Sequence, residues 1–259
     1  MLDLSSDLVQ SILWSTALWL SVPMLLGLTS NRHAAFRNDR ARTERAINLG
    51  FWFWEAMALG PLLWLATQSI FALIDPSAGI NPGTGIDPGT GIDPSAGIDQ
   101  ALSEGHAQAS YPTMSFVLAF ALALWLGDGI AAARHRLEHS RLLWRWHAWH
   151  HSTDASDWLQ THRHHPISRL IAFAGEVVLL ALWLRGLFGD VPWAAMLGAM
   201  ACRRAYAIWL HSGSNWGVDR WFAAHLVLPA HHRAHHAGAP IYGGMFKHWD
   251  RLWSDQSLR

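Results

Sequence analysis

The 259 residues include 17 histidines, and all but His33 and His106 fall between His135 and His248. Their spacing is that of helix faces. His135 and His139 are four apart, while His147, His150 and His151 show an i, i+3, i+4 pattern that His232, His235 and His236 repeat. Residues so spaced share one side of a helix, so each group is expected to aim two or three imidazoles at one point. Arg134, Arg136, Arg141, Arg145 and Arg233 lie among them and disfavour imidazolium. Clustered neutral imidazoles are ligands for transition metals. Eight exceed what one ion uses, which points to two ions. A continuous helix from His135 to His151 would run about 24 Å at ~1.5 Å per residue, too long for both ends to reach one compact site. The chain is therefore expected to bend around Ser140–Trp144. Soluble di-iron bundles use Glu-x-x-His pairs and zinc proteases use His-Glu-x-x-His; neither occurs here.

The elements that must position these side chains are apolar. Hydrophobic residues make up 51% of the chain and charged ones 15%, against about 25% charged in a typical soluble domain. A net charge of zero gives no footprint for nucleic acid, and the single cysteine, Cys202, excludes a disulfide framework or a multi-cysteine metal site. The 17 tryptophans suit membrane–water interfaces. Uncharged or nearly uncharged runs cover Leu8–Leu28, Ala56–Ile74 extended backward through Phe51–Trp54, Thr113–Gly127 continuing to Ala133, Leu170–Leu184 and Val191–Leu210. A span takes about 20 apolar residues, and backbone facing lipid must satisfy its own hydrogen bonds. The expected fold is thus an all-α integral membrane protein of four to five membrane helices, with a histidine-rich helical cap. Glu55 and Glu176 interrupt two of the runs, and no role is assigned to either.

Lys and Arg set the orientation. The segment Ser30–Arg45 carries five arginines (Arg32, Arg37, Arg40, Arg42 and Arg45), whereas Asp75–Pro112 carries neither Lys nor Arg. With alternating sides, every basic residue except Arg185 falls on one face, which is therefore cytoplasmic; the N-terminus is outside and the histidine cap inside. The expected location is a bacterial inner membrane or the endoplasmic reticulum. Between two of the runs, hexads begin at Ile74, Ile80, Ile86 and Ile92 and read Ile-Asp/Asn-Pro-Ser/Gly-Ala/Thr-Gly. Four hexads bury no core, and Asp-Pro and Pro-Gly steps favour turns. The expected organisation is N-terminal membrane helices with a basic loop over 1–75, an external repeat loop over 76–112, and a histidine-bearing unit over 113–259.

From Asp128 to Trp253 the chain resembles the fatty acid hydroxylase/sterol desaturase superfamily. Asp128 stands seven residues before His135-Arg136, as the family's Asp precedes its first His-x-x-x-His. Leu143–Ser152 is similar to the second histidine block, and Arg163-His164-His165-Pro166 to the Arg-x-His-Pro that follows it. His211-Ser212-Gly213 resembles the His-Ser-Gly of sterol methyl oxidases, and Pro229–His236 the last cluster. Tyr242-Gly243 and Trp249-Asp250-Arg251-Leu252 resemble the closing motif, from which Trp253-Ser254-Asp255 then departs.

The resemblance implies an O2-dependent non-haem di-iron oxidoreductase that hydroxylates or desaturates a membrane lipid, sterol-like or fatty acyl, drawn from the bilayer. By position it implies His135, His139, His147, His150, His151, His232, His235 and His236 as iron ligands, with His211 a ninth and His165 a tenth. The residues around His165 could equally shape a turn at a helix start. Asp128 is expected to accept an imidazole N–H and fix its tautomer. A zinc-loaded homologue or metal carrier without oxygenase activity is the alternative. No Gly-x-Gly-x-x-Gly fingerprint or cysteine cluster is present, so an external electron donor is expected, a b-type cytochrome or a ferredoxin with its reductase. Arg134, Arg136, Arg141, Arg145, Arg233 and Lys247 would attract it on the cytoplasmic face.

Overall fold

The computed structural model describes residues 39–74, 113–153, 157–189, 191–212 and 219–253. The apolar run Leu8–Leu28 and the hexads that follow Ile74 lie outside the described residues. Among the described residues every regular element is a helix, and one isolated antiparallel bridge joins Leu226 to Phe246. α1 (Asp39–Trp54) passes through a π-helical turn, Glu55–Leu59, into α2 (Gly60–Ile74). α3 is Thr113–Glu138 and α4 is Trp144–His147. Two 3-10 turns follow, His150–Ser152 and Trp158–His162. α5 (Pro166–Phe173) runs through a second π turn, Ala174–Leu179, into α6 (Leu180–Phe188). The remainder is α7 (Trp193–Leu210), α8 (Asp219–Phe222), α9 (Pro229–His236) and α10 (His248–Trp253).

Three stretches are long and apolar enough to cross a membrane: Arg42–Thr67, Ser115–Glu138 and Pro166–Phe188. α7, with Arg203 and Arg204 in its second half, is not among them. Their limits differ from the apolar runs for identifiable reasons. The basic stretch read as a loop is helical from Asp39, where Glu44 pairs with Arg163 and Arg45 with Asp157. α3 continues past Ala133 to Glu138 because Arg134 pairs with Glu138 one turn on and with Glu176 of the second π turn. The third stretch starts early because Pro166 takes the first helical position, where its missing N–H costs nothing.

The core lies between α3, α6 and α7. Ala123, Leu180, Ala181, Leu184, Met196 and Ala199 are all buried there, and the three alanines let the helix backbones come close. α6 ends at Gly189, whose left-handed φ of +79° is comfortable only for glycine. Its N–H closes on the Arg185 carbonyl at 2.8 Å.

Candidate metal centre

α3 ends at Glu138, and residues 139–143 form turns before α4 begins at Trp144. This is the bend that the histidine spacing required. It folds the second histidine block back over the end of α3. α9 approaches from the other side, and His211 caps the C-terminus of α7.

Nine imidazoles converge as two groups. His135, His139, His147, His151 and His235 form one; His150, His211, His232 and His236 form the other. Within each group, one nitrogen per residue lies within 4.8 Å of all the others. The expectation that each triplet aims at one point is corrected here. In the first triplet His147 and His151 join the five-membered group and His150 the four-membered one. In the second, His232 and His236 join the four-membered group and His235 the five-membered one. The i, i+4 pair stays together on its face, and the i+3 residue, rotated around the helix, serves the other group. Chain neighbours such as His150–His151 and His235–His236 thereby tie the two groups together.

Several tautomers are set by partners on the far side of the ring. His135 Nδ1 donates to the Tyr242 carbonyl (3.1 Å), His211 Nδ1 to Ala207 (2.8 Å) and His235 Nδ1 to Ala239 (3.3 Å). Glu138, fully buried, stands 3.2 Å from His147 Nδ1 outside hydrogen-bond geometry. These contacts turn the Nε2 lone pairs inward. His211 Nε2 then faces His150 Nε2 at 3.2 Å and His232 Nε2 at 2.9 Å, and His235 Nε2 faces His151 Nε2 at 3.1 Å. Among the described residues, the buried Nε2 atoms of His135, His139 and His236 have no hydrogen-bond partner. Lone pairs gathered without protons to share are costly in a protein interior. A cation at each group satisfies them, so the residues present fit two metal ions.

Burial also keeps the rings neutral. It holds His139 down to about 4, helped by His235, and His151 down to about 3, helped by His235 and His139. His235 lies at about 4 and His211 at about 3, each by burial against a carbonyl contact that pulls the other way. The sign follows directly. An unfolded histidine takes up its proton near 6.5, so below that value the unfolded chain binds more protons and stability falls with pH. Protein stripped by a chelator is expected to lose thermal stability progressively from about pH 6.5 toward 4, and metal is expected to leave the loaded protein over the same range. Unfolding midpoints and retained metal measured across that range check both.

Two expected site residues have other duties. His165 joins neither group; its Nδ1 accepts the Ile167 N–H at 3.2 Å and caps the start of α5, the turn-shaping role its neighbours allowed. Its neighbour His164 instead stacks on His150, with centroids 4.4 Å apart and planes at 11°. Asp128 does not accept an imidazole N–H. Its two oxygens accept the backbone N–H groups of Met245 (2.8 Å) and Phe246 (2.9 Å). The reason is proximity: the loop packs so tightly that a Cβ on Gly244 would sit 2.7 Å from Asp128 Oδ1. Asp250 holds the other end of the loop through Tyr242 N–H (2.6 Å) and Gly243 N–H (3.0 Å). The two aspartates thus fix the carbonyl that orients His135. Asp128→Asn places an amide N–H₂ or a weaker acceptor against these donors and is expected to cost about 1–3 kcal/mol. Thermal unfolding in detergent measures it.

The residues that sequence reasoning left without a role form the layer beneath the histidines. Glu55 begins the first π turn and is buried with Arg169, Arg204 and His162. Glu176, in the second π turn, pairs with Arg134 and Arg203. Carboxylates inside apolar runs were the available signal, and π turns cluster at functional sites. Gln160, also buried, donates to the His150 and Thr153 carbonyls at 2.9 Å each and holds the turn that carries His150 and His151.

A cavity of about 500 Å³ opens below. Its lining includes His135, His147, His150, His211 and His232 at one end, the ionic layer in the middle, and Leu63, Phe173, Val177, Leu197 and Met200 from the apolar helices. A family model described as fatty acid hydroxylase matches residues 120–254, just over half of the chain. No curated protein and no solved structure matches it.

Proposed function

The chain belongs to the fatty acid hydroxylase family, within the fatty acid hydroxylase/sterol desaturase superfamily, and from that premise we propose that it is an O2-dependent non-haem di-iron oxidoreductase that hydroxylates or desaturates a membrane lipid, sterol-like or fatty acyl. The observation that carries the reading is the pair of histidine groups at one end of a cavity whose apolar lining comes from stretches long and apolar enough to cross a membrane and from α7. Two bound irons with O2 would supply an oxidant able to take hydrogen from an unactivated C–H bond, which no side chain does alone.

The chain's own part is positioning. His135, His139, His147, His151 and His235 would hold one iron and His150, His211, His232 and His236 the other. The carbonyls of Tyr242, Ala207 and Ala239 orient three of these rings. Leu63, Phe173, Leu197 and Met200 offer an apolar wall for a hydrocarbon chain or ring system, and the histidine end of the cavity brings one carbon beneath the metals. Glu55 pairs with Arg169 and Arg204, and Glu176 with Arg134 and Arg203, so each arginine between these regions has a carboxylate partner that lowers the charge a lipid would meet there. On this reading the histidine groups face the cytoplasm, as the distribution of arginines implies, and electrons come from a separate carrier.

Protein produced with iron available is expected to hold two irons per chain. Lipid extracts from cells with and without the protein, compared by mass spectrometry, should show a species that gains one oxygen or loses two hydrogens. A protein that takes up only zinc and never consumes O2 would instead be a metal-binding membrane protein, and the proposal would fail.

A further inference from the structure

We propose that the surface around Trp144 is the port through which an acidic one-electron carrier protein docks and reduces the centre; this rests on the di-iron reading above. Most of the metal-facing rings are shielded: His147, His150, His211, His232 and His235 are all buried. Of the four half-buried rings, His139 lines a surface cleft together with Arg141 and Trp144. The Trp144 indole is 40% exposed on its outer side. On its inner side it contacts three members of the five-histidine group, with ring centroids at 5.1 Å from His139, 5.4 Å from His151 and 6.2 Å from His147. An aromatic ring that touches solvent on one face and metal ligands on the other, beside a cleft that His139 also lines, makes a short route from the surface to that group. Tunnelling falls off exponentially with distance, so this is where a donor gains most by binding.

The surrounding charge selects the partner. Arg141 and Arg145 are both exposed and flank Trp144, and Arg145 lies over the Trp146 ring at 4.2 Å, which fixes its direction. From His139 to His151 the sequence contains no Asp or Glu, so the positive potential is uncompensated within the segment. Exposed Leu142 adds an apolar contact beside the charges. A carrier with an acidic rim around its cofactor matches this surface in sign and in composition. The step is a one-electron transfer: the carrier is oxidised by one electron, a ferric ion in the five-histidine group is reduced to ferrous, and no bond is made or broken.

The test uses full-length, iron-loaded protein in detergent. The probe is an acidic [2Fe–2S] ferredoxin, and photoreduced 5-deazariboflavin serves as a small neutral donor. Binding of the ferredoxin is measured by calorimetry and metal reduction by stopped-flow absorbance. For the R141E/R145E pair, both affinity and reduction rate are expected to fall at least about tenfold at low salt, with the salt dependence of the wild type lost. Trp144→Leu should bind the ferredoxin normally yet be reduced by it more slowly, at unchanged metal content. Deazariboflavin should reduce all forms alike.

Wild-type binding and rates in the charge-reversed protein would overturn the proposal and leave the patch a contact for lipid headgroups. So would a ferredoxin that fails to reduce protein which deazariboflavin reduces. If deazariboflavin itself reduces no metal in the wild type, the di-iron reading fails instead.

Discussion

Replacing His211 by alanine is expected to strip metal from one group and leave the other loaded. His211 Nε2 sits between His150 Nε2 and His232 Nε2, at 3.2 and 2.9 Å. Its loss leaves three ligands and a gap at the centre of the four-histidine group. His235→Ala should do the reverse, because His235 belongs to the five-histidine group and its Nε2 lies 3.1 Å from that of His151. Loss of an outer partner of a ligand typically costs 10–100-fold in affinity or activity, and loss of the ligand itself should exceed about 100-fold. Metal analysis should therefore give one ion per chain in each variant, with turnover below detection in both. The helices that drive insertion do not depend on these rings, so both variants should still reach the membrane. Two ions retained in either variant would refute the division into two groups.

The second large effect is on stability, from Glu55. Its carboxylate, 3% exposed, lies 2.7 Å from an Arg169 nitrogen and 3.0 Å from one of Arg204, and also meets His162. These partners belong to α5, to α7 and to the turn before α5, so one side chain ties the α1–α2 pair to the metal-bearing half. Glu55→Ala removes the carboxylate that pairs with both Arg169 and Arg204. It leaves two partly buried guanidinium groups without that partner, a change expected to cost roughly 3 kcal/mol. Glu55→Gln keeps hydrogen bonding without the charge and should fall between. The chain's many tryptophans make intrinsic fluorescence a direct readout of detergent-solubilised unfolding. A midpoint within error of wild type for Glu55→Ala would show that the network contributes nothing to stability.

The features legible in the order of residues alone are local and periodic. Histidines four apart must share a helix face. A run of histidines too long to serve one site must bend, and the bend lies between Glu138 and Trp144, where the spacing required it. Three of the apolar runs became helices long enough for a membrane, because backbone in lipid pairs its polar groups within the helix, whereas Val191–Leu210 became a helix that is not among them.

Which groups meet depends on how the helices pack. His147, His150 and His151 belong to one spacing pattern, yet His150 serves a different group from its neighbours, because it meets His211 at the end of α7 while His147 and His151 meet His135 and His139 at the end of α3. Asp128 points at a loop that starts more than a hundred residues later, and the acceptor for His135 turns out to be a backbone carbonyl at Tyr242, which no side-chain pattern records. Glu55 and Glu176 read as isolated acids because their arginines are remote in sequence and adjacent only after packing. Periodicity specifies the face of a helix. The partner on that face is set by how helices cross, and that depends on contacts between residues the chain itself keeps far apart.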